Sequence, residues 1–115
     1  MKLIPFAAAA LALVALGPTL VRAEPPSVTV KIDNFAFDAE TITVAPGATV
    51  TWINEDDAPH TVVADDGKSF RSKVLDTGDK FSFTFMTEGT WGYFCSVHPH
   101  MTGKVVVKAP QGPLG

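Results

Sequence analysis

Between residues 28 and 108 the readable runs of this chain alternate with a period of two. Val28, Val30 and Ile32 oppose Thr29, Lys31 and Asp33, and Thr41-Ile42-Thr43-Val44 and Thr49-Val50-Thr51-Trp52-Ile53 repeat the pattern. Lys80-Phe81-Ser82-Phe83-Thr84-Phe85 is the cleanest case, with three aromatics on one face. A strand sends successive side chains to opposite faces, so this spacing predicts half-buried strands. No segment sustains the three-and-four spacing of a helix. Further strands are expected over residues 60–64, 90–95 and 104–108. Residues 69–75 are weakly patterned and suit an irregular stretch or a short helix.

Turn chemistry punctuates these runs. Ala45-Pro46-Gly47-Ala48 places Pro and Gly as a type II turn prefers. Asp65-Asp66-Gly67-Lys68, Gly78-Asp79 and Glu88-Gly89 mark other reversals. About seven to eight short strands with turns every ~8–12 residues predict an all-β fold, an antiparallel Greek-key β-sandwich. Trp52, Phe81, Phe83, Phe85, Trp91 and Phe94 are its candidate core and near-core aromatics.

The ends carry different chemistry. Met1-Lys2 is positive, residues 3–21 are apolar and rich in Ala and Leu, and Val21-Arg22-Ala23 offers small residues to a signal peptidase. Residues 1–23 read as a secretory signal peptide cut after Ala23, which makes the periplasm the expected location. An uncleaved anchor is the rival reading, since the apolar stretch is long enough to span a bilayer. Residues 24–108 form one small domain, and the Pro- and Gly-rich residues 109–115 form a tail expected to be disordered. Losing Lys2 and Arg22 takes the formal charge from −3 to −5, which repels nucleic acid and anionic lipid. A monomer free of the membrane after cleavage is expected.

The chain has one cysteine, so it holds no intramolecular disulfide. A lone thiol in an oxidising compartment is a liability unless something shields or uses it. Cys95, His98 and Met101 fall within seven residues of Gly92-Tyr93-Phe94-Cys95-Ser96-Val97-His98-Pro99-His100-Met101-Thr102-Gly103, and His60 follows Pro59 upstream. One thiolate, two imidazoles and a thioether are the ligand set of a mononuclear type 1 (blue) copper site. Thiolate and thioether suit Cu(I), and imidazole serves either oxidation state. Taken singly, Cys95 reads as a small buried apolar residue, His60 as a surface or capped histidine, His98 and His100 around Pro99 as a turn, and Met101 as core. Together, on a strand–loop–strand frame, they are expected to bind one copper ion.

The C-x-x-H-x-x-M loop and the upstream Pro-His resemble the cupredoxins, and the three-residue steps resemble amicyanins most closely. Val44 to Asn54, Gly89 to Cys95 and Gly103 to Val107 look like the family's strands around its copper loops. The resemblance implies a one-electron carrier with copper on His60, Cys95 and His98, and Met101 as the axial ligand. The residue after the first histidine is commonly Asn in that family and ties the two ligand loops together. Here it is Thr61, whose hydroxyl can reach toward Ser96. His100 stands where amicyanins usually carry an apolar residue, and its expected place is the surface.

Two functions follow. The first is a periplasmic electron shuttle from a dehydrogenase or other donor to a cytochrome or oxidase. Electrons would leave through His98, inside an apolar patch formed by Pro59, Val97 and Pro99. The alternative is a copper-binding or delivery module without a redox partner. An enzyme is not expected. Three histidines cannot build a trinuclear copper cluster, and one cysteine cannot build a dinuclear bridged centre.

Overall fold

The computed structural model describes residues 26–110. The expected signal peptide, residues 1–23, and most of the expected tail lie outside the described residues. Eight strands follow one another: β1 Ser27–Asp33, β2 Ala36–Asp38, β3 Thr41–Val44, β4 Ala48–Asn54, β5 Val63–Ala64, β6 Lys80–Phe85, β7 Gly89–Phe94 and β8 Thr102–Val107. They form two four-stranded sheets, ordered β2-β1-β4-β6 and β3-β8-β7-β5. This is the expected all-β sandwich. Among the described residues no helix is long and apolar enough to cross a membrane.

Strand β4 shows how the alternation becomes a core. Ala48, Val50, Trp52 and Asn54 are buried, and the residues between them are partly exposed. On the outer face the Thr49 and Thr84 hydroxyls pair at 2.7 Å, as do those of Thr51 and Ser82. Such cross-strand pairs set register as well as adding stability. The inner face meets the second sheet through Val30, Ile32, Trp52 and Phe85 on one side and Tyr93, Val105 and Val107 on the other. Trp52 and Tyr93 meet edge to face at 5.3 Å, and Phe37 meets Tyr93 at 4.7 Å. Burial of these side chains is the main favourable contribution to the fold.

Four pairings are antiparallel, but β1 runs parallel to β4 and β3 runs parallel to β8. The chain therefore crosses between sheets rather than turning back at each hairpin. The strand expected over residues 60–64 shrinks to β5, and His60 keeps only an isolated bridge to Leu75. The reason lies in where the backbone donors go. Thr61 N–H points to the Cys95 sulfur and Val62 N–H to the Ser72 hydroxyl, so neither joins a ladder. Residues 69–75 form no helix, and they bury Phe70, Ser72 and Leu75.

Candidate metal centre

The loops that follow β1, β4 and β7 gather at one end of the sandwich. Asn54 organises the second of them. Its buried Nδ2 donates to the carbonyls of Ala58 and Leu75, both at 2.9 Å, and its Oδ1 accepts Asp56 N–H at 2.9 Å. A buried amide with all these bonds made fixes the path of the chain toward His60. Reciprocal backbone bonds between His60 and Leu75, at 3.1 and 2.7 Å, hold the histidine itself.

The third loop coils through three backbone bonds. His98 N–H donates to the Cys95 carbonyl at 3.2 Å, Met101 N–H to that of His98 at 2.9 Å, and Cys95 N–H to that of Met101 at 3.0 Å. The C-x-x-H-x-x-M spacing is the spacing of these bonds. Thr61 braces this loop to the previous one. Its Oγ1 accepts Ser96 N–H at 2.8 Å and lies 2.7 Å from the Ser96 hydroxyl. The tie usual for Asn in the resembled family is therefore made here by Thr.

The donors converge. Cys95 Sγ lies 3.7 Å from His60 Nδ1 and 3.8 Å from His98 Nδ1. Among the described residues, His60, Cys95 and His98 offer ligand atoms that all lie within 4.8 Å of one another. Cys95 and His60 are fully buried, Met101 is buried and His98 is half-buried. Asp56 Oδ2 lies 2.9 Å from His60 Nε2. A carboxylate on the far nitrogen fixes the tautomer and leaves Nδ1 free to bind a metal. That bond and the Phe35 N–H hold the Asp56 carboxyl below the usual range.

Burial pushes the Cys95 thiol up, but the Thr61 backbone N–H and the imidazoles of His60 and His98 outweigh it and bring the pKa from 9.0 down to about 6. The metal-free fold thus releases this proton before the unfolded chain does. Between pH 6 and 9 the unfolded chain binds more protons, so stability rises with pH across that window and is lost as pH falls through about 6. Urea midpoints of the metal-free protein at pH 6 and pH 9 should show this gain, and Cys95→Ser should lack it. Equal gains in both proteins would refute the assignment.

The structure thus brings together His60, Cys95 and His98, with the buried Met101 in the same loop as the last two. His100 is exposed, as expected, and lines a cavity with Phe37, Glu40 and Met101. Sequence reasoning missed Phe35, Asn54 and Asp56. An acidic residue four positions before His60 was a signal for Asp56; no local pattern pointed to Phe35.

A model of the copper-binding proteins of the plastocyanin/azurin family matches residues 26–108. Amicyanin of Paracoccus versutus is 32% identical over 89% of this chain and 93% of its own length. Amicyanin-alpha of Methylorubrum extorquens is 34% identical over 94% of this chain and 100% of its own. The solved structure of a novel purple cupredoxin from Nitrosopumilus maritimus superposes with a TM-score of 0.66 at 32% identity, covering 70% of this chain and 99% of that one.

Proposed function

The chain belongs to the plastocyanin/azurin family of copper-binding proteins, and on that premise we propose that it is a periplasmic one-electron carrier with copper held by His60, Cys95, His98 and Met101. The observation that carries this reading is the convergence of a fully buried thiol with the Nδ1 atoms of two histidines. Held by these four residues, copper would supply one-electron chemistry through its Cu(II) and Cu(I) states.

The surrounding residues prepare the site for that exchange. Asp56, Asn54, Thr61 and the coiled β7–β8 loop hold the donors through bonds made within the protein. A donor set fixed in this way changes little when the charge changes, which favours fast transfer. A delivery module needs a labile, open site, and the burial of Cys95, His60 and Met101 favours the carrier.

His98 is the surface point of the centre. Pro59, Val97 and Pro99 are exposed, Val97 to 45%, and with Phe35 they form the apolar rim of a docking patch. Redox encounters are small and short-lived, so a small apolar patch suits docking of a donor such as a dehydrogenase and an acceptor such as a cytochrome or oxidase. The periplasmic assignment rests on residues 1–23.

The test is an absorption spectrum and a voltammogram of the Cu(II)-loaded protein. An intense visible band with a reversible one-electron wave supports the carrier. A colourless Cu(II) protein overturns the centre, and a coloured protein without a reversible wave favours the delivery module. Met101 should tune the centre rather than create it. Met101→Leu removes a weak donor to Cu(II), so copper and colour should persist while the potential rises. Each tenfold loss of Cu(II) affinity relative to Cu(I) raises it by about 59 mV. Loss of copper in this variant would make Met101 a principal ligand.

A further inference from the structure

We infer that Phe35 is a positioning residue for the two imidazoles, its ring closing the histidine side of the centre and its backbone locked in place through Asp56. The inference rests on the copper reading of the site.

Asp33 pairs with Ala36 across β1 and β2, so Asn34-Phe35 is a two-residue hairpin connection. Both residues are left-handed, with φ of 51° and 57°. Such turns favour Asn or Gly at these positions, and a bulky side chain there is strained. Phe35 bears that strain without the usual return, because its side chain is 52% exposed. Residues that break a local rule in this way cluster at functional sites.

The ring shows what the turn is for. Its centroid lies 5.0 Å from that of His98 and 5.5 Å from that of His60, both at an interplanar angle of 82°. The two imidazoles are themselves 5.0 Å apart, so the three rings form one cluster. Phe35 N–H donates to Asp56 Oδ2 at 2.9 Å, and the same oxygen lies 2.9 Å from His60 Nε2. One carboxylate oxygen therefore ties the strained turn to a ligand ring. Phe35 also forms a wall of the cavity of about 140 Å³ that Met101 and His100 line. Without the ring, the histidine edges would face solvent, and His98 would lose a neighbour that restrains it. Water at the site favours the more highly charged oxidised form, so the potential should fall.

The experiment compares Phe35→Gly and Phe35→Tyr with wild type. Glycine relieves the left-handed strain, so the melting temperature of the metal-free protein should hold or rise. In the same variant, release of Cu(II) to excess EDTA should quicken about tenfold, the equivalent of two edge-to-face ring contacts, and the potential should drop. Phe35→Tyr keeps the ring and should restore both. Wild-type release and potential in Phe35→Gly would overturn the inference. So would a parallel fall in metal-free stability with no rescue by Tyr, which would mark Phe35 as ordinary packing. Failure of the copper reading looks different, since the wild type itself would then take up Cu(II) without a visible band.

Discussion

Cys95→Ser is expected to abolish the intense visible absorption of the copper-loaded protein. The band and the electronic coupling both require a thiolate bonded to the metal, and a serine hydroxyl stays protonated and is a hard, weak donor. The geometry leaves no substitute. Cys95 is fully buried, and the Thr61 N–H and both Nδ1 atoms are arranged around its sulfur. Copper affinity should fall by more than about 100-fold, beyond the range seen when only a ligand's supporting partner is lost. Serine is nearly isosteric, so the metal-free fold should persist and circular dichroism should be unchanged. Titration with Cu(II) followed by absorption checks the result. A variant that stays deeply coloured would remove Cys95 from the site.

Gly103→Ala is expected to destabilise the metal-free protein by about 3 kcal/mol, as overpacking of a rigid core does. Gly103 sits in β8 directly opposite Tyr93 of β7. A β-carbon there would fall within the Tyr93 ring and hydroxyl. Phe37 and Trp52 pack edge to face against the ring and resist its displacement. The glycine is needed for space, and its backbone lies outside the left-handed region. Urea denaturation measures the loss. Combining the change with Tyr93→Leu should give a loss smaller than the sum of the two single changes, because the leucine removes the clash. Strict additivity would show that the clash is not the cause.

Much of this fold was legible because its strands are half-buried. β3 and β6 coincide with the alternating runs, and β1, β4, β7 and β8 differ from theirs by a residue or two at the ends. β2 escaped notice because three residues with one buried side chain, Phe37, carry no period. The parallel pairing of β1 with β4 and of β3 with β8 is a tertiary choice that no local run encodes. The metal centre was legible for a similar reason. Three of its four expected donors lie in one loop, where spacing substitutes for geometry. Asp56 and Phe35 act across loops, and the contact that defines each exists only once β1, β4 and β7 have been assembled.

Strand β6 forms the outer border of its sheet. From Phe81 to Thr87 it and the residues after it carry no charge and no proline, with Lys80 and Glu88 standing at either end. A stretch of this kind is a template on which a second chain can add a strand, and stacked copies of it suit a fibril. The charges at its ends act as gatekeepers, and the acidic excess of the chain keeps copies apart. That repulsion fades as the pH falls toward the isoelectric point and as salt is added. Self-association through β6 is then the hazard that a concentrated, mildly acidic, salt-rich preparation of this chain invites.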